Sequence, residues 1–219
     1  MVAADLRATL QTGLENLELE LSSDQIDKLL AYQAMIAKWT QVYNLTSIRD
    51  PAEMMTHHVL DSLAAIPALQ RHLRDTGCKE GARLLDVGSG AGLPGVVMAI
   101  CCPELQVTCV DTVAKKAAFI KQAALVLTLP NLVGLHARVE SIGQPFDVIC
   151  SRAFASLADF TQWSAGALAS HGVWMAMKGK HPAEEIELLP KGIEVFHVEQ
   201  LKVPGLEAER CILWLRPVS

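Results

Sequence analysis

Arg83 to Gly95, RLLDVGSGAGLPG, passes from strand-like to turn-like to helix-starting residues, and the rest of the chain has to be arranged around that stretch. Leu84, Leu85 and Val87 form the apolar run of a strand buried on both faces. Gly88, Gly90 and Gly92 supply positive φ and close backbone approach, and Val96 to Ile100 read as the first turns of a packed helix. A strand, turn and helix in this order aim backbone N–H groups and a helix N-terminus at one spot beyond the carboxyl end of the strand. That spot suits a polar cofactor.

Two cofactor readings compete. Gly90-Ala91-Gly92-Leu93-Pro94-Gly95 is literally a GxGxxG, with Asp111 at the downstream distance of a ribose-binding acid, as in a dinucleotide fold. In that fold, however, the first glycine follows the strand directly. Here Asp86-Val87-Gly88 intervenes and puts a carboxylate at the strand's tip, where it would repel a pyrophosphate and favour a cationic or neutral ligand. Asp-x-Gly-x-Gly-x-Gly, Asp86 to Gly92, resembles the first motif of the S-adenosylmethionine-dependent methyltransferases, whose cofactor carries a sulfonium and no phosphate. A turn serving only tight packing is disfavoured, because three alternate glycines destabilise a turn unless something needs the space.

With 219 residues, 51% of them hydrophobic and 20% charged, the chain can bury one core plus a small helical appendage. No run is long and apolar enough for a membrane span, and the acidic N-terminus lacks a signal peptide's pattern, so a cytoplasmic protein with no membrane partner is expected. Cys78, Cys101, Cys102, Cys109, Cys150 and Cys211 form no CxxC pair and mostly lie in apolar runs, which points to buried reduced thiols and no metal. The net charge of −5 argues against a strong general affinity for nucleic acid. The charges are uneven: residues 1–60 are mostly acidic, whereas Asp111 to His181 carries Lys115, Lys116, Lys121, Arg138, Arg152, Lys178 and Lys180 against four acids, enough for a local basic face.

Residues 1–75 have helical periodicity and read as an N-terminal helical extension, a candidate substrate lid. Ser22-Ser23-Asp24 caps a helix through Trp39, Asn44 to Ser47 breaks the pattern, and a short helix spans Pro51 to His57. His57, His58, Asp61 and Ser62 then start a helix toward Leu69; the histidines are either an exposed face with one ring half-buried or a functional pair. After a polar link from Arg71 to Gly81, residues 76–219 read as an α/β domain. Strands are expected at 83–87, 106–111, 132–136, 146–150 and 172–178, and helices at 95–102, 113–127, 156–168 and 182–189. Extended stretches at 192–203 and 210–216, joined by Pro204-Gly205-Leu206, close the chain as an antiparallel hairpin. The result is a Rossmann-like, seven-stranded, mostly parallel sheet.

In such a sheet the ligand lies outside the carboxyl ends of the strands. Asp111 there can accept from a ribose diol, cap the next helix, or do both. Glu140 lies either near an adenine or in a solvated loop. Arg152 follows a buried strand, so its guanidinium faces a carboxylate, a phosphate or a base edge, or else forms a structural ion pair.

NLTSIRDPAEMMTHHVLDS, LLDVGSGAGLPG, ARVES, SRAFASL and MKGKHPAEEI together resemble the small-subunit ribosomal RNA methyltransferase G family, also called glucose-inhibited division protein B, from about Asp24 to Leu215. The resemblance implies a class I S-adenosylmethionine-dependent methyltransferase acting on N7 of a guanine in the 530 loop of bacterial 16S rRNA (guanine 527 in standard rRNA numbering). It implies cofactor contacts at Gly88, Leu93, Val139, Glu140 and Arg152, to which the strand-end reading adds Asp86, Gly90 and Asp111. Ser89 and Ala91 fill variable positions of the motif, and Cys150 replaces a more usual aliphatic residue. Substrate RNA is expected at Asn44, Thr46, Arg138, Lys178 and Lys180.

N7 has an in-plane lone pair and no proton to lose, so no acid or base catalyst is expected, only positioning by Arg152, His58 and Asn44. The partner would be 16S rRNA in the small subunit or its assembly intermediate, met by a monomer. A nicotinamide-dependent oxidoreductase and a non-catalytic S-adenosylmethionine-binding module on the ribosome are the competing functions.

Overall fold

A computed structural model describes residues 2–77 and 81–218; Cys78 lies outside the described residues. After α1 (Val2–Asn16), Ser22 starts α2 (Ser23–Tyr43) with a reciprocal cap: its hydroxyl accepts from the Gln25 N–H, and the Gln25 side chain accepts from the Ser22 N–H. The helix runs past Trp39 and stops at Asn44, which takes the left-handed conformation and donates its N–H to the Thr40 carbonyl.

The next helical stretch departs from the expected break near His57. It runs unbroken from α3 (Pro51–Met54) through a π-helical segment (Met55–Leu60) into α4 (Asp61–Leu63). The break falls instead before α5 (Ile66–Asp75), whose first turn contains Pro67, a residue that can start a helix but not continue one. The polar link consequently begins at Thr76 and not at Arg71.

The α/β part follows the expected alternation. Its elements are β1 (Arg83–Val87), α6 (Gly95–Cys101), β2 (Gln106–Asp111), α7 (Ala114–Val126), β3 (Leu132–His136), β4 (Phe146–Arg152), α8 (Leu157–Ser164), β5 (Leu168–Lys178), α9 (Ala183–Glu187), β6 (Ile193–Leu201) and β7 (Arg210–Pro217). They build a seven-stranded sheet in the order β3-β2-β1-β4-β5-β7-β6, parallel except for β7, which runs antiparallel to both β5 and β6. The chain reverses direction of winding between β1 and β4, which opens a crevice at their carboxyl ends.

The two-residue period of a strand sorts side chains between two layers. Leu84, Cys109, Cys150 and Met177 face one cluster, and Leu85, Val110, Ile149 and Ala176 face the other. The N-terminal helices belong to the first cluster: Leu10, Leu29, Tyr32 and Ile36 are buried with Val96, Phe119 and Ile120. Phe119 of α7 packs edge-on to Trp39 with ring centroids 5.2 Å apart. Residues 2–75 are thus one wall of the core, continuous with the sheet.

Candidate functional site

The glycine turn is held from below and open above. The N–H groups of Gly88 and Ser89 both donate to the Val110 carbonyl at the end of β2, at 2.9 and 3.2 Å, and the Gly90 N–H donates to Asp111 Oδ2 at 3.0 Å. Gly88, Gly90 and Gly92 all have positive φ, as their residue type permits. A methyl group on Gly90 would meet nothing within 4 Å, so the turn is open on that side. On Gly88 it would lie 2.3 Å from the Phe154 ring, so that glycine makes room for a side chain of the loop after β4.

Asp86 does not face the open side of the turn. It is fully buried on the face of β1 that carries Leu84, beside Cys109 of β2 and Cys150 of β4. Its Oδ2 accepts the Gly95 N–H at 2.8 Å, anchoring the start of α6, and its Oδ1 has no partner among the described residues. A side chain on Gly95 would collide with Asp86 and Cys109, which explains that glycine. Burial raises the Asp86 pKa to about 7, with the Gly95 N–H and the Arg152 charge opposing. The expectation of a carboxylate facing a cationic cofactor is corrected: Asp86 is two residues from Leu84 and shares its inward face.

Two adjoining clefts meet at Gly88 and Ala153. The smaller, about 400 Å³, lies over β1, β2 and β3 and is lined by Asp111, Val139, Glu140, Phe154 and Trp163. Asp111 accepts from the Gly90 and Val113 N–H groups and lies 3.8 Å from Lys116 Nζ; its bond to Val113 ties down the residue before α7, which has no side-chain cap of its own. Arg138 and Glu140 are exposed on its rim, 3.8 Å apart. The larger cleft, about 490 Å³, extends over β4, β5 and β7 and is lined by Gly90, Leu93, Thr46, His58, Arg152 and Lys178 among others.

His58 is buried, with Nε2 2.8 Å from Thr46 Oγ1 and Nδ1 without a partner among the described residues. Burial and the nearby Arg152 lower its pKa to about 4, so the ring is neutral at physiological pH. Arg152 Nη1 donates to Asp61 Oδ2 at 2.7 Å and to the His57 carbonyl at 2.9 Å, a contact made from the π segment. The ion pair and the cleft position, offered as alternatives by the sequence, are both present. Asn44 is exposed and lies outside the cleft; its side chain accepts from Arg49 Nη2.

Lys178 lies on the opposite sheet face from Arg152 and is bound to Glu185, at 2.8 and 3.0 Å, and to the Ala155 carbonyl. Lys180 is exposed just beyond β5. Arg138, Arg152, Lys178 and Lys180 therefore do not form one continuous strip of unpaired cations.

Sequence reasoning missed three residues at the site. Tyr32 of α2 donates its hydroxyl to the Ala91 carbonyl at 2.6 Å, binding the helical wall to the glycine turn. Arg210 reaches Asp61 Oδ1 with Nε at 2.7 Å. Phe154 fills the space over Gly88. Each contact spans a long sequence interval; the one local signal was the Arg210 charge at the start of an apolar strand. The described cysteines are all buried with free thiols, no group of metal-ligating side chains appears among the described residues, and no described helix is long and apolar enough to cross a membrane.

A sheet of this order, with its ligand cleft at the β1/β4 crossover above a glycine turn, is the fold of the class I S-adenosylmethionine-dependent methyltransferases. Solved structures bear out the fold. A SAM-dependent methyltransferase from Aquifex aeolicus aligns over 80% of this chain and 97% of its own at a TM-score of 0.54 and 20% identity. TrmN from Thermus thermophilus aligns over 75% of this chain and 53% of its own at 0.56 and 20%. The chain belongs to the GidB family, rRNA small subunit methyltransferase G, whose model matches residues 25–213. Relatives described as ribosomal RNA small subunit methyltransferase G are 80% identical in Polaromonas naphthalenivorans, covering 98% of this chain and 97% of the relative, and 65% identical in Acidovorax sp. strain JS42, covering 96% and 95%. Membership sets aside the dinucleotide reading of Gly90 to Gly95.

Proposed function

We infer that this chain transfers a methyl group from S-adenosylmethionine to N7 of a guanine in the 530 loop of 16S rRNA, acting in the cytoplasm as a monomer on the small ribosomal subunit or an assembly intermediate. One observation carries the choice of nucleophile. The acid that lines the larger cleft, Asp61, is committed to Arg152 and Arg210, while His58 is held neutral with its Nε2 on Thr46. Such a cleft suits a nucleophile with no proton to lose.

When bound, the cofactor supplies an electrophilic methyl on a positively charged sulfonium. The Gly90 cradle and Leu93 would hold its amino-acid end, Asp111 its diol, and Val139 with Glu140 its adenine side. Thr46, His58 and Arg152 would grip the guanine, Arg152 as a donor toward its O6. Bringing N7 and the methyl carbon to about 3–3.5 Å and in line can supply several kcal/mol of barrier lowering without proton transfer. A base in a folded loop must be splayed from its stack to be reached, and the wall formed by residues 2–75 is placed to hold it.

The test is methyl transfer to small subunits from cells lacking this gene, with the product mapped by chemistry specific for N7-methylguanine. A single modified guanine in the 530 loop supports the reading. Cofactor binding without transfer would instead make this a non-catalytic module, and transfer to a different atom would refute the N7 assignment.

A further inference from the structure

Asp61, Arg152 and Arg210 come from remote parts of the chain and meet on one face of the sheet. Asp61 opens α4, Arg152 ends β4 and Arg210 opens β7. The carboxylate bridges the guanidiniums, with Oδ2 on Arg152 Nη1 and Oδ1 on Arg210 Nε, both at 2.7 Å. Carbonyl oxygens take two further bonds, His57 from Arg152 Nη1 and Glu209 from Arg210 Nη1. Among the described residues, Nη2 of each arginine has no partner.

The charges do not balance. Two guanidiniums share one carboxylate, and the three side chains are only 18%, 24% and 4% exposed for Arg152, Arg210 and Asp61. Lys178, the other cation of the cleft, is neutralised by Glu185 and leaves the count unchanged. One positive charge, partly withdrawn from water, is left over, and the larger cleft that these residues line lies open before it. A monoanion with two oxygens in one plane matches the free guanidinium donors.

The place of Arg210 decides which anion. The sheet runs β1-β4-β5-β7, so the start of β7 is three strand spacings, roughly 14 Å, from the glycine turn at the end of β1. With the amino-acid end of the cofactor on that turn, as proposed, a ligand reaching Arg210 comes from the substrate side. We propose that Arg210, held beside Arg152 by Asp61, binds a phosphodiester of the substrate RNA next to the target guanine. This rests on RNA being the substrate. It also replaces Lys178 as the cleft's phosphate contact, since Lys178 is already paired.

The experiment measures methylation kinetics on small subunits lacking the modification, with calorimetry of S-adenosylhomocysteine binding alongside. Arg210→Ala should raise KM for subunits about tenfold and reduce the log–log salt slope of kcat/KM by about 1, as expected when one fewer phosphate is neutralised. Affinity for S-adenosylhomocysteine should stay within about twofold of wild type. Arg210→Lys keeps a counter-ion for Asp61 and decides the matter should the alanine variant not fold. It should keep the salt slope and raise KM by about threefold, a positive charge without the fork.

Unchanged KM in either folded variant overturns the proposal and leaves Arg210 as a structural ion pair. Weakened S-adenosylhomocysteine binding with unchanged KM also overturns it and assigns the anion to the cofactor's carboxylate. Wild-type protein that methylates no rRNA would refute the functional reading itself, an outcome separate from any effect of the variants.

Discussion

The Tyr32 hydroxyl, on a helix far from the sheet in sequence, donates to the Ala91 carbonyl inside the glycine turn at 2.6 Å. The helical wall and the glycine turn are therefore one mechanical unit. Tyr32→Phe leaves the buried carbonyl without a donor and should cost about 1 kcal/mol of folding stability, a melting temperature lower by about 2–4 °C. Because the turn loses its strut, affinity for S-adenosylhomocysteine should fall by about threefold. Calorimetry and thermal melts check both; a stable protein with unchanged affinity would show that the bond supports packing alone.

Gly90 faces open space with φ of +59°, so Gly90→Ala puts a methyl where the cofactor's arm is expected. The left-handed conformation costs an alanine about 1–2 kcal/mol, and the occluded cradle should weaken S-adenosylhomocysteine at least about tenfold. Gly88 is the poorer probe, since its substitution strikes Phe154 and disturbs folding first. Affinity within twofold of wild type in a folded Gly90→Ala protein would place the cofactor elsewhere.

Asp86 gives the protein a pH signature. Its folded pKa of about 7 lies above the ordinary carboxylate value, so between about pH 4 and 7 the folded state holds a proton that the unfolded chain releases. Its contribution is fully present below pH 4 and is lost as the pH rises through 7. His58, depressed to about 4, acts with the opposite sign between pH 4 and 6.5, which is why wild type alone cannot isolate the effect. Asp86→Asn, neutral at every pH, should gain about 2 kcal/mol relative to wild type between pH 5 and pH 8, read from urea midpoints. A constant difference across that range would mean that Asp86 is ionised throughout.

Asp61 holds two arginines from different strands, β4 and β7. Removing one partner of a buried ion pair is strongly destabilising, and Asp61→Ala should cost about 3–5 kcal/mol. Denaturant unfolding measures it. A loss under about 1 kcal/mol would show that the arginines find solvent instead, as exposed pairs do.

The elements of the sheet were legible because buried strands and Gly-bounded helices carry strong local signals: all seven strands were expected, with β1, β2 and β3 at their observed bounds. The start of β5 was missed because Ser170-His171-Gly172 interrupts its apolar pattern, and β4 pairs there with an irregular register between Phe146 and Val148. The π segment left no signal, since it changes the winding without changing the residue types expected of a helix. Asp86 could have been read correctly from its parity with Leu84. The Asp61 bridge could not, because its partners lie 91 and 149 residues away.

The central claim is that the cleft acts by positioning, with no side chain removing a proton. Single-turnover methyl transfer to unmethylated small subunits at saturating cofactor, from pH 6 to 8, tests it in wild type and in His58→Asn. With the His58 pKa near 4, the rate should carry no inflection due to that ring. The variant should lose about fivefold, the worth of a hydrogen bond, uniformly across the range, with affinity for S-adenosylhomocysteine unchanged. An inflection near 7 that Asp86→Asn removes would reflect the buried carboxyl beneath the turn and leave the claim intact. A rate that tracks an ionisation abolished by His58→Asn, with activity lost altogether, would show that His58 is a proton acceptor and contradict the account.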